Sequence, residues 1–474
     1  MMEKKLDSAK SEFQQARFSD EYDYIIDSNG NRVEYDDPRI VYIEPHPTDI
    51  YAKKLVEHYY ELCGKNIRFV DDINIETLQY AKMICSGREC IPMMGIVGAV
   101  LKDIYENRKK DEISIYRLAL EQEGPCQNGG WPGIWEIFAE RLKIENVIFC
   151  GTLYKSKKYM GLSIGIYLTQ LLFYMLGHII TEAKNALYII AKEPQTAIQK
   201  FDYSTYRFIH KVKDFKKSLK RALKEWAEEI SKIPRKSEVV EMPKVLILGG
   251  LNLLFVHYPY EDYFLENGII PKVVDLGESS DWVLYEYIMK YNLKRGRFHA
   301  KKQINLGRLF LHLLFRKHRY DALKAFFGRS AMLYFRSKIK KWRKIIGKTG
   351  LLFEEGISFK ELLGDCREKI SCFAFNETMS TTGRFIQSIK SNYYDGIINL
   401  GAFNCQPAMN SQAIIRPLAN KARMPYISID CEGPWFSSNH LRLLETISVQ
   451  AKRVREEKNS DKFSLFLKKN INNT

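Results

Sequence analysis

Short apolar runs that stop at Gly- or Pro-containing loops, each followed by residues on helical spacing, recur along this chain. That alternation dictates an α/β protein, because strands buried on both faces read as continuous apolar runs and the helices between them cover the sheet. Residues 39–44, 66–70, 113–120 and 146–150 read as strands, with helices over about 49–63, 75–84, 91–105 and 133–142. The pattern resumes with a strand from Lys244 that ends in Gly249-Gly250, then strands at 269–274, 395–400 and 425–430, with helices at 258–266 and 410–422. The expected fold is two Rossmann-like lobes, each a doubly wound parallel sheet, over residues 39–159 and 237–455. Residues 1–38 read as a polar lead-in, poorly ordered or peripheral, and 160–236 as a helical insertion and linker. Residues 294–348 form a basic helical insertion in the second lobe, and 456–474 a polar tail that frays. Gly249-Gly250 lacks the spaced third glycine of a dinucleotide fingerprint and reads as a tight turn.

Composition removes several classes. With 45% apolar and 13% aromatic residues over 474 positions, the chain folds around more than one core. Nine cysteines are too sparse for a secreted disulfide scaffold, and the start of the chain has no apolar signal-peptide core, so the expected compartment is the cytoplasm with thiols reduced. The net charge of +16 is uneven: residues 294–348 carry 18 Lys or Arg and one acid, Asp321. A solvated helical face is the plain reading; nucleic acid, anionic lipid or a phosphate-rich ligand such as coenzyme A would be drawn to the same field, nucleic acid being unlikely. Residues 159–181 have no Asp, Glu, Lys or Arg and are long enough to cross a bilayer. They contain Ser163, Thr169, Gln170 and His178, and the helical spacing continues past Glu182, which favours a buried core helix and no membrane.

Three cysteines lie in turns that follow apolar runs: Gly87-Arg88-Glu89-Cys90-Ile91-Pro92, Glu123-Gly124-Pro125-Cys126, and Gly401-Ala402-Phe403-Asn404-Cys405-Gln406-Pro407. Loops beside Gly and Pro bring backbone amides close to an inorganic anion, so three such loops suit an iron-sulfur cluster. Cys90 precedes a helix, a position that favours thiolate over thiol. Cys85 is an alternative ligand or a packed thiol, and Cys150 and Cys431 sit at strand ends that permit a role, whereas Cys63, Cys366 and Cys372 read as ordinary thiols. Structural zinc is the chemical rival, but no Cys-x2-Cys pair occurs. Glu89, Glu123 and Glu377 are the acid-base candidates, Glu89 alternatively capping the next helix and Glu123 alternatively solvated.

The three cysteine loops, in this order, and the Pro425-Tyr426-Ile427-Ser428-Ile429-Asp430 strand resemble the 2-hydroxyacyl-CoA dehydratase family, in its activase-related branch, over roughly residues 38–455. The resemblance implies an oxygen-sensitive [4Fe-4S] cluster held by Cys90, Cys126 and Cys405, with the fourth iron open. It also implies a separate ATP-dependent activase that injects low-potential electrons, and an acyl-CoA substrate whose carbonyl is reduced so that a β-proton can leave. The chain has no phosphate-binding motif of such an activator, so the electrons are expected from a partner, and a homo- or hetero-oligomer is possible. Relatives carry Arg and an aromatic after Gly-Pro-Cys and a Pro-Gly after the last cysteine; here Gln127-Asn128 and Gln406-Pro407-Ala408 stand there. The alternative is a non-catalytic iron-sulfur electron relay or assembly partner of the same fold.

Overall fold

Two four-stranded parallel sheets organise the chain, and both are assembled in one order. A computed structural model describes residues 13–460 except 46, 48, 120–125, 128–130, 152–160, 216, 251–252, 254–255, 275–276, 278–280, 282–283, 287, 290–318, 355, 358 and 372–376. The first sheet holds β4 (Ile40–Glu44), β5 (Asn66–Phe69), β6 (Ile113–Ala119) and β7 (Val147–Gly151), ordered β5-β4-β6-β7. The second holds β8 (Lys244–Leu248), β9 (Ile270–Val273), β10 (Gly396–Ala402) and β11 (Tyr426–Cys431), ordered β9-β8-β10-β11. In each, the lobe's second strand flanks its first, and the third and fourth follow on the other side, all parallel.

Strand periodicity divides the side chains between faces. In the first sheet Tyr42, Ile113, Ile115 and Ile148 pack with Leu55, Val56 and Tyr60 of α1 (Ile50–Leu62). Ile43, Tyr116, Val147 and Phe149 belong to a second core with Val97 and Ala99 of α3 (Ile91–Lys102) and Trp135 and Phe138 of α4 (Trp131–Leu142). The second sheet joins that same core through Val245, Ile247, Ile398, Leu400 and Ile429. Helices α8 (Tyr260–Glu266) and α13 (Ser438–Asn459) cover this face through Phe264, Leu444 and Ile447. Its other face packs Leu246, Leu248 and Ile397 against Phe385 of α11 (Thr378–Ser391) and Ile415 and Ala419 of α12 (Gln406–Ala422). One apolar core therefore runs between the sheets.

Helix α2 (Ile75–Ala81) is capped by Asn74, whose side chain accepts from the Thr77 amide. It meets α3 at Gly98, where a Cβ would stand 1.8 Å from the Thr77 carbonyl oxygen. Only glycine permits that approach, and it fixes the helix that begins after Cys90.

The apolar run predicted as a core helix is α5 (Ile164–Ile190). It is long and apolar enough to cross a membrane, yet half of its most apolar window is buried in the protein, and Phe173, Leu176 and Ile180 line the first core. With α6 (Pro194–Lys211) and α7 (Leu219–Ser231) it forms the helical layer expected over 160–236. Part of the basic stretch is α9 (Arg319–Ile346); residues 294–318 lie outside the described residues. The face is not wholly solvated. Arg343 is buried and grips Glu182 of α5 at 2.9 and 3.0 Å, where Lys272 of β9 also donates at 2.6 Å. Arg343 also donates to the Glu354 carbonyl at 2.7 Å, and the Glu354 carboxylate takes two bonds from Arg384 of α11 at 2.9 and 2.8 Å and one from Tyr394.

Of the two readings of the lead-in, residues 13–38 are ordered. Residues 13–38 carry a three-stranded antiparallel sheet, β1 (Arg17–Phe18), β2 (Ile25–Ile26) and β3 (Arg32–Val33), with Ala16, Ile25 and Val33 in the first core. Reciprocal bonds tie it down: the Ser28 amide donates to Asn146 Oδ1 at 3.0 Å and the Asn146 amide to Ser28 Oγ at 2.7 Å. Two-residue strands are too short to show a period in sequence. Residues 461–474, the expected fraying tail, lie outside the described residues.

Candidate functional site

Cys90 and Cys405 occupy the same local device. Each is the N-cap of a helix, α3 or α12, with extended backbone and a proline two residues on, Pro92 or Pro407. Each carbonyl accepts the first helical bond, Met94 to Cys90 at 3.0 Å and Met409 to Cys405 at 3.1 Å. Before Cys90, the Glu89 carboxylate accepts from the Ser86 and Gly87 amides and from the Ser86 hydroxyl, at 2.9 to 3.1 Å. Burial pushes the Glu89 carboxyl up, but those amides outweigh it and hold it below its ordinary range. Glu89 is thus the clasp of its own turn. Before Cys405, β10 runs to Ala402, the Phe403 amide donates to the Cys431 carbonyl at 2.9 Å, and Asn404 turns the chain with a φ of +62°.

These loops meet at the ends of the strands. The Cys90 amide donates to Gln127 Oε1 at 3.1 Å, which brings the Cys126 loop onto the start of α3. The Thr378 hydroxyl, first residue of α11, donates to the Pro407 carbonyl at 3.1 Å, which brings Glu377 beside the start of α12. The thiols report the rest. Burial pushes Cys405 well above the ordinary thiol range, and the charge of Glu377 pushes it further; the Ala408 amide opposes the rise, and Cys126 and Cys90 add to it. Cys90 is pushed up to about 11, by burial first, against the Met93 amide, with Glu377 and Glu89 contributing. Residues 90, 126, 377 and 405, far apart in sequence, therefore share one seam between the sheets. Glu123 and Cys372 lie outside the described residues.

Cys90 stands at the helix start as expected, and the Met93 amide favours its charge, but burial of a residue only 9% exposed is the larger effect. The other described cysteines are buried or half-buried. Cys85 lies against the second core with its thiol pushed to about 12 by burial and then by Glu89. Cys150 is pushed to about 12 by burial and faces the Tyr116 carbonyl at 3.4 Å, while Cys431, also pushed to about 12, is fully buried at the end of β11. Cys366, the last residue of α10 (Phe359–Cys366), is fully buried, and Cys63 is half-buried.

Among the described residues no three Cys, His, Asp or Glu side chains are drawn together tightly enough to hold one metal ion. The charges of Cys126 and Cys90 nonetheless both reach Cys405. The indole N–H of Trp131, buried in the second core, has no hydrogen-bond partner among the described residues. Sequence reasoning met Gln127 only as a departure from the family pattern, not as the residue that ties the Cys126 loop to Cys90. No protein-family model matches the chain, and no curated protein matches it.

Proposed function

We propose that the seam binds a [4Fe-4S] cluster through Cys90, Cys126 and Cys405, between two Rossmann-like, doubly wound lobes. On this reading the protein acts in the cytoplasm on an acyl-CoA thioester, like the 2-hydroxyacyl-CoA dehydratases it resembles, with electrons from a separate ATP-dependent activase. The observation that carries the reading is the approach of three thiols, from loops spread over more than half the chain, closely enough that the charges of Cys126 and Cys90 both reach Cys405.

Bound there, such a cluster supplies low-potential electrons and a Lewis-acidic iron. The chain's part is to hold three sulfur donors on two rigid lobes, to keep water away with the second core, and to aim the Met93 and Ala408 amides at the ligand sulfurs. The net charge of +16 draws the phosphates of coenzyme A toward the protein.

Anaerobic reconstitution of the full chain should give about four irons and four sulfides per chain. An EPR signal that shifts on adding acyl-CoA thioesters supports the enzyme. A signal unmoved by every thioester tried identifies an electron relay or assembly partner, and folded protein that takes up neither iron nor sulfide ends the reading.

A further inference from the structure

The second sheet carries a cavity at the end opposite the seam. Cys405 follows the last residue of β10, whereas a half-open cavity of about 860 Å³ is lined by Lys244, the first residue of β8, and by Asn392 and Tyr393, which precede β10. The seven residues of β10, at about 3.3 Å each, separate it from the seam.

One wall is the chain that leaves the helical layer. The Lys236 amide donates to the Ile190 carbonyl at 2.8 Å and the Lys192 amide to the Pro234 carbonyl at 3.2 Å, which straps residues 234–236 to the end of α5. Arg235 is thereby laid against the turn after α9, where its Nη1 donates to the Thr349 carbonyl at 2.5 Å. Gly350, in that turn with a φ of +72°, leaves room for the guanidinium, since a Cβ there would stand 3.2 Å from Nη1.

Charge in the cavity is unbalanced. Arg235, Lys236, Lys244 and Arg455 line it against Glu238 and Glu241, and these two carboxylates cap each other's backbone amides across one turn. Asp395 accepts from Arg455 at 3.0 and 2.8 Å and pairs with Lys458 at 3.0 Å. Among the described residues no carboxylate pairs with Arg235 or Lys244. Nε and Nη2 of Arg235 are buried without an acceptor. The Lys244 ammonium, on a residue 2% exposed, donates to the Met242 and Val240 carbonyls at 2.7 and 3.3 Å and lies 5.4 Å from the centre of the Phe353 ring. Burial lowers it to about 7, with Arg455 and Lys458 adding to the effect and Asp395 opposing it. A buried cation without a counter-charge costs stability, and an anion in the cavity relieves that cost.

We propose that this cavity binds a small organic phosphate, with Arg235 and Lys244 gripping the phosphate and Tyr393 and Leu352 beside the organic part. A planar guanidinium offers two parallel donors to a phosphate, and a doubly charged group meets both cations where a single carboxylate leaves one uncompensated. The volume suits a whole small molecule rather than a bare ion. The site is independent of whatever the seam holds.

Isothermal titration calorimetry and 31P NMR on the full chain test this, with phenyl phosphate, inorganic phosphate and benzoate as probes. Phenyl phosphate should bind at one site per chain, inorganic phosphate should compete for it more weakly, and benzoate should be the weakest. Arg235→Gln and Lys244→Met should each weaken phenyl phosphate by about tenfold or more, whereas Lys110→Gln, at an exposed position of the first lobe, should leave it unchanged. Circular dichroism establishes folding, and Lys236→Gln, at an exposed position of the cavity wall, serves if neither buried variant folds. Three results overturn the proposal: neither phosphate binding by either method up to about 10 mM, benzoate binding as tightly as phenyl phosphate, or folded cavity variants that bind no worse than Lys110→Gln. None of them bears on iron and sulfide uptake at the seam.

Discussion

Two buried polar clusters in this protein are built on opposite terms. Around Glu182 and Glu354 every carboxylate meets a guanidinium or an ammonium, and Arg343 and Lys272 overcome the burial of Glu182 to hold its carboxyl at about 2. At the seam, Cys90, Cys126, Cys405 and Glu377 face one another, and each charge makes the next less welcome. The contrast separates two kinds of burial: the first network satisfies its own charges and holds the fold, whereas at the seam the acidic groups raise one another's affinity for a proton, as the proposed cluster site would require of its ligands before metal binds.

The sharpest way to break this contrast is to exchange the effects. Changing Cys90, Cys126 or Cys405 to Ala should abolish iron and sulfide uptake yet cost the apo-protein only about 1 kcal/mol, whereas Cys85→Ala should keep the iron; metal analysis and denaturant titration read both. Arg343→Met should do the reverse. It leaves Glu182 buried with one partner fewer, and the urea midpoint should fall by the equivalent of about 3–5 kcal/mol.

Acid should affect the first cluster in a defined window. The folded carboxyl of Glu182 lies at about 2 against an ordinary 4.5, so its contribution is complete above pH 4.5 and drains as pH falls toward 2. That difference corresponds to about 3 kcal/mol, and unfolding free energies measured across this window should lose a matching slope in Glu182→Gln. A smaller effect tests the seam's scaffold: Gly250→Ala should cost about 1–3 kcal/mol through its left-handed backbone and its contact with Glu377, and should alter the spectrum of reconstituted protein. If it changes stability alone, Glu377 belongs with the self-satisfied cluster.

Most strands were legible because each is a short apolar run bounded by turn residues, as in residues 244–248 and 395–400. The cysteine loops were legible because Gly and Pro mark the turns in which they sit. The three short strands over residues 13–38 were not, since two residues carry no period. Nor was the state of Cys90: the helix start is written locally, but the desolvation that outweighs it comes from the packing of both lobes. Arg343 read as one more charge on a basic face, because its partner Glu182 lies 161 residues away. Glu377 was recognisable as a candidate by its loop, yet its nearness to Cys90 and Cys405 emerges only once the lobes are packed.

Pro92 and Pro407 carry a last consequence. Each stands at the second position of a helix whose cap is a thiol, and each removes an N–H that would otherwise point toward the sulfur. Sulfurs with fewer donors keep more electron density, and iron bound to them is easier to oxidise. Twice over, the chain has withheld a donor from a sulfur, and a cluster bound as proposed would be the readier to part with an electron.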